Sequence, residues 1–175
     1  MVTEGKKHPM AYRNKTYIAF DGDNDMHYYR LMTAWTAHDG FSLNFHNAHD
    51  LNTARDSSQE ESIKRQLRER FANSKLLVVL IGANTRYLTK FVRWELEVAL
   101  RLGMPVIGVN LNGNRQIDDR CPPTIRDQLV VYTSFQHNII EHAMDNWPDE
   151  FHRLRGAGTI GSRSYSEDVY RRLGL

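Results

Sequence analysis

Short apolar runs alternate along this chain with longer stretches whose apolar residues recur every three or four positions. "KTYIAF", from Lys15, reads as a strand, and Tyr28, Leu31, Met32 and Trp35 after it fall at the i, i+3, i+4, i+7 spacing of one buried helical stripe. Phe41, Leu43 and Phe45 alternate with polar residues as in a half-exposed strand, and "NAHDLNTARD" predicts a long polar loop. Ser58 with Glu61 forms a capping box ahead of a helix carrying Ile63, Leu67 and Phe71. "KLLVVLIG" is apolar throughout, as expected of a parallel strand covered on both faces. A helix from about Thr89 to Leu102 follows, stopped by Gly103 and Pro105. "PVIGVNL" and "LVVYTSF" complete the strands. The tail "NIIEHAMDNWPDEFHRLRG" reads as helix with a break near Pro148, and Ser164 with Glu167 caps a last short helix. Strands alternating with helices predict an α/β fold, an about five-stranded parallel sheet with helices on both faces.

A length of 175 residues suits one domain with its own core. The 23 basic and 21 acidic residues nearly cancel, so no broad field favours nucleic acid or an anionic membrane, and charged chemistry must be local. The single cysteine, Cys121, excludes an intramolecular disulfide and a multi-cysteine metal site, which points to a reducing, cytoplasmic setting. "MVTEGKKHPM" has no apolar leader region, and no run approaches the roughly 18 apolar residues of a membrane span.

Three aspartates at alternate positions, Asp21, Asp23 and Asp25, close the first strand in "FDGDND". A calcium loop would need glycine and an acid where Met26 and Met32 stand. A phosphatase of the haloacid-dehalogenase type needs a later lysine and a second acidic pair at a strand end; "QIDDR" lies in a loop and no lysine follows Lys90. A receiver domain wants an aspartate after "KLLVVLIG" and a lysine after the last strand, and neither is present. For Asp23 and Asp25 the plainer role is at the N-terminus of the first helix. His46, His49 and Asp50 have a spacing that a metal could use but sit in a polar loop, so no metal site is expected. "GAGTIG" follows a helix instead of a strand and reads as a loop.

One carboxylate is out of place. On a helical wheel, Phe91, Val92, Leu96, Val98, Ala99, Leu100 and Leu102 form an apolar arc that also contains Glu95, while Arg93, Glu97 and Arg101 lie opposite. A carboxylate among core positions is costly unless it is paired or lines a cavity. An ion pair with an arginine such as Arg86 would meet that cost. So would a ligand site, because the helix opens beside a strand end, where open parallel sheets bind ligands.

"KTYIAFDGDND", "SKLLVVLIGANT", "RYLTKFVRWELEVAL" and "GMPVIGVNL" together resemble the TIR domains, most closely the bacterial TIR-like proteins of the Thoeris type. The resemblance covers residues 15–135, with 136–175 a helical extension packed on the same domain, and implies a flavodoxin-like TIR fold. Phe91, Val92, Arg93, Trp94 and Glu95 follow the helix pattern that ends in the glutamate of NAD-cleaving TIR enzymes, although Phe91 replaces a common tryptophan and "FDGDND" an end that usually carries serine. By that resemblance Glu95 is the catalytic residue and Phe20 and Asp21 line a nucleotide pocket opposite it. Asn84 and Arg86 are then ribose or phosphate contacts, NAD is a substrate instead of a cofactor, and no metal takes part. Trp94, on the polar side of the wheel, is expected at an assembly contact. The implied activity is cleavage of the nicotinamide–ribose bond to give a cyclic ADP-ribose-type signal, read by a separate effector protein. The alternative is an adaptor or nucleotide-binding module that only assembles with partners.

Overall fold

The computed structural model describes residues 16–38, 57–88 and 90–175. In chain order these form β1 (Thr16–Ala19), α1 (Met26–His38), α2 (Ser57–Ala72), β2 (Leu76–Ile81), a short 3-10 turn (Thr85–Tyr87), α3 (Phe91–Arg101), β3 (Val106–Asn110), α4 (Pro123–Arg126), β4 (Val131–Ser134), α5 (His137–Gly156), β5 (Arg163–Ser164) and α6 (Glu167–Arg172). The sheet runs β1-β2-β3-β4-β5 and every pairing is parallel. This is the α/β arrangement of the flavodoxin-like class, with helices on both faces. The strand expected at Phe41–Phe45, the polar loop after it and the trio His46, His49 and Asp50 lie outside the described residues.

Alternation along each strand sorts the core into two layers. Tyr17, Ala19, Leu77, Val79 and Ile81 face α2, α3 and α4, while Ile18, Phe20, Leu76, Val78 and Leu80 face α1 and α5. All six residues of β2 are buried, which is why that strand is apolar without a break. At its far end α3 closes in a Schellman turn: Gly103 takes φ +64°, its N–H donates to Leu100 O, and the Met104 N–H donates to Ala99 O.

The tail differs from the expectation. "LVVYTSF" supplies β4, and the tail expected to be purely helical returns an edge strand that pairs Arg163 with Val131 and Ser164 with Tyr132. The crossovers through α3, α4 and α5 all step the same way across the sheet, yet α5 lies on the other face, so its crossover has the opposite hand. Right-handed crossovers dominate because strand twist favours them, and the exception here leads to a strand of two residues. Two further expectations are corrected. α5 continues through Pro148 without a break, because Trp147 and Phe151 bury its apolar side on the sheet and outweigh one lost backbone hydrogen bond. The last helix is preceded by Ser166 at its N-cap, while Ser164 is spent in β5.

Candidate functional site

Glu95 sits in the second turn of α3 and is 2% exposed, on the sheet face covered by α2. Its partner is not an arginine. The Tyr17 hydroxyl donates to Glu95 Oε1 at 2.5 Å. Burial pushes the Glu95 carboxyl up to about 8, with the Tyr17 hydrogen bond pulling the other way. Burial and the same carboxylate hold the Tyr17 phenol well above its ordinary value, against the pull of Arg70 from α2. Phe71 of α2 stacks on Tyr17 with ring centroids 4.3 Å apart and meets Trp94 edge-on at 6.2 Å. Glu95 is thus buried beside the Tyr17 hydroxyl, and its raised pKa favours the protonated form at neutral pH.

Sequence reasoning missed Tyr17 and Phe71 as the setting of Glu95. The signal was available: a tyrosine on the inward parity of β1 brings a hydroxyl into the layer that receives α3, and a buried hydroxyl needs a partner. Trp94, expected at an assembly contact, is only partly exposed. Instead of standing free on a polar face it is half-buried, packed on Phe71 with the Arg68 guanidinium 5.9 Å over its ring.

The other expected site residues are only partly brought together. Phe20 points to the opposite face of the sheet from Glu95, stacked on Tyr29 at 4.8 Å, so it is a core residue of the α1 layer and not a wall across from the carboxylate. Strand parity decides this, since Phe20 is three positions from Tyr17. Asp21 closes the turn after β1, accepting from the Asp23 N–H at 3.1 Å, the Asn24 N–H at 3.4 Å and Asn24 Nδ2 at 2.7 Å. Asn84 is exposed in the loop after β2. Arg86 donates to Asp119 O at 2.8 Å and to the Tyr87 hydroxyl, and lies 3.6 Å from Asp119 Oδ2. It lines a cavity of about 380 Å³ with Thr85, Val92, Pro122 and Thr124, and Glu95 is not among the lining residues. Asp21, Asn84 and Arg86 therefore share the C-terminal edge of the sheet, with Glu95 enclosed below it.

Asp25 also belongs to that edge. It precedes α1, its carbonyl accepts from the Tyr28 and Tyr29 N–H groups, and its side chain rests against Gly82, where a Cβ would stand 2.2 Å from Oδ2. Burial, then Asp21, push the Asp25 carboxyl up to about 6, while His27 and Arg120 draw it down. Among the described residues no three His, Cys, Asp or Glu side chains are grouped to hold a metal ion.

The family model for the Thoeris protein ThsB, TIR-like domain, matches residues 17–116, which carry β1 through β3 together with Glu95. The chain belongs to the Thoeris ThsB TIR-like domain family. A search of curated proteins returns no match. The stretch from α4 onward, which completes the α5 layer and the β5 edge, lies beyond the matched residues of this ThsB-like domain. Among the described residues no helix is long and apolar enough to cross a membrane.

Proposed function

We propose that this ThsB-like domain cleaves the bond between nicotinamide and ribose in NAD and releases an ADP-ribose-type nucleotide, cyclic in form, as a signal in anti-phage defence. The observation that carries the reading is a buried glutamate in the second turn of the helix after β2, with a raised pKa and one hydroxyl partner. Perturbed carboxylates of this kind concentrate at reactive sites. As the glycosidic bond breaks, its electron pair leaves with neutral nicotinamide and the ribose becomes an oxocarbenium cation. An ionised Glu95 beside that ribose stabilises the developing charge. Capture by the adenine ring closes the product, and exclusion of water favours closure over hydrolysis.

Two steps must precede chemistry. The buried Glu95 has to become accessible to NAD, and it has to lose its proton, which the positive charge of the bound nicotinamide riboside promotes. Assembly or an infection cue that selects an open state would supply the first, so the resting protein is expected to turn over NAD slowly. Asp21, Asn84 and Arg86 at the sheet edge are then suited to the ribose and phosphates. The proposed NAD-derived product is read by a separate effector protein.

The enclosure of Glu95 favours a second reading, a non-enzymatic adaptor in which the Glu95–Tyr17 pair only holds α3 on β1. Incubation of the purified protein with NAD, alone and with lysate from infected cells, followed by chromatography of the nucleotides, separates the two. A new nucleotide with free nicotinamide supports the enzyme. Intact NAD under both conditions, with the protein folded and assembled, supports the adaptor.

A further inference from the structure

The cavity of about 380 Å³ between α3 and the start of α4 lies on the far side of α3 from Glu95. Arg93 and Glu97, which line it, each stand two residues from Glu95 and so about 200° around the helix from it. The volume is in the range of small-molecule sites, roughly 300–1,000 Å³. Its walls are fixed. Thr85 ties the turn after β2, accepting from the Gly82 N–H at 2.8 Å and donating to Leu80 O at 3.4 Å. Pro122 and Pro123 set the backbone where α4 begins, and Arg126 Nη2 donates back to Cys121 O at 2.9 Å. Walls fixed before a ligand arrives lower the cost of binding it.

The polar groups in the lining are mostly donors. Arg93 is 59% exposed and engages only Nε, on Glu97 Oε1 at 2.8 Å; among the described residues its two Nη atoms make no hydrogen bond. The half-buried Thr124 hydroxyl likewise has no partner among the described residues. Arg86 donates to Asp119 O and to the Tyr87 hydroxyl, and a guanidinium carries further N–H groups. Glu97 is the one acid in the lining, and Arg93 already engages it. Arg86 and Arg93 therefore leave a positive balance, since Asp119, 3.6 Å from Arg86, is 84% exposed and its charge is screened by water. Leu88, Val92 and Pro123 supply an apolar stretch of wall beside these donors.

We propose that this cavity is a binding site for a small carboxylate with an aliphatic or aromatic body. The carboxylate accepts from Arg93, with Thr124 completing the donor set, and the body lies on Leu88 and Pro123. An inorganic anion offers nothing to the apolar wall, and a neutral amide lacks the charge that strengthens a hydrogen bond from a guanidinium. With Glu95 on the other side of α3, occupancy of the cavity is independent of any turnover of NAD.

Magnetic resonance of the full chain tests this. Benzoate and 4-methylpentanoate, titrated to roughly 20 mM, should shift the Arg93 Nε–H and Thr124 methyl signals saturably and leave the Trp147 indole signal in place. Benzamide and inorganic phosphate should bind at least about tenfold more weakly. Arg93→Gln should weaken benzoate about tenfold, followed at the Thr124 methyl signal. Thr124→Val keeps the shape and removes one donor, so it should weaken benzoate severalfold and serves if the Arg93 variant fails to fold. Arg93 and Thr124 signals unmoved by both carboxylates would overturn the proposal. So would variants that bind benzoate as tightly as the parent, or benzamide or phosphate binding equally well. Displacement of benzoate by NAD would also overturn it, because the cavity would then belong to the nucleotide.

Discussion

The two faces of the sheet handle buried polar groups in opposite ways. On the α2–α3 face Glu95 has a partner at 2.5 Å and is 2% exposed. On the α5 face Trp147 and Tyr165 have donors without acceptors beside an open volume. The lesson concerns readiness. A satisfied and buried group must be released before it can act, whereas a buried donor left without an acceptor costs its layer stability. If the comparison is right, variants on the first face change stability and triggered turnover together, and variants on the second change stability alone.

The largest effect is expected from Glu95→Gln. The amide fills the same space and accepts from Tyr17, so the fold should persist, while triggered conversion of NAD should fall on the order of a hundredfold or more, as when one preorganised electrostatic group is removed. Chromatography of nucleotides from triggered cells checks this, with circular dichroism to confirm the fold. Full activity in the amide variant would remove Glu95 from the chemistry.

The same carboxyl should govern how stability depends on pH. Below about pH 4.5 Glu95 is protonated whether the chain is folded or not; between there and about pH 8 only the unfolded chain gives up the proton. Stability therefore falls as pH rises through that window, by on the order of a few kcal/mol, and levels off above it. Asp25 adds a loss of the same sign that ends near pH 6. Urea unfolding of the parent should show decline up to about pH 8, and Glu95→Gln should decline only up to about pH 6. A parent protein equally stable at pH 6 and pH 8 would mean that Glu95 is solvated and ionised, contrary to its enclosure.

Tyr17→Phe removes the hydroxyl that donates to Glu95 and keeps the stack on Phe71. Leaving a buried carboxyl without its partner costs about 1–3 kcal/mol, and more where the group is ionised. The loss should be larger at pH 9 than at pH 6, measured by chemical denaturation. A loss independent of pH would mean that the hydroxyl matters for packing alone.

The sequence made the strands and α3 legible because continuous apolar runs and a 3.6-residue stripe are local signals, and Glu95 stood out as the wrong residue type inside such a stripe. Tyr17, Phe71 and the stacking of Phe20 on Tyr29 were not read, since they depend on which strand parity meets which helical layer, a non-local fact. β5 escaped for a related reason. Two exposed residues carry no periodicity, and only the pairing of Arg163 with Val131 makes them a strand.

Trp94 gives the smallest expected effect and the sharpest test of how tightly the first face is closed. Its ring is half-buried on Phe71 and lies under Arg68, so part of its area already serves the α2–α3 seam. Trp94→Phe keeps an aromatic face for Phe71 but shortens the platform beneath the guanidinium. Loss of that partial burial and of a solvent-exposed cation–π contact should cost about 1 kcal/mol. Thermal denaturation should register the cost, and sedimentation should show the same association state as the parent. If instead the variant keeps full stability and dissociates, the exposed part of Trp94 serves contact with another molecule, and Ile63, Leu67 and Phe71 hold α2 on its layer without it.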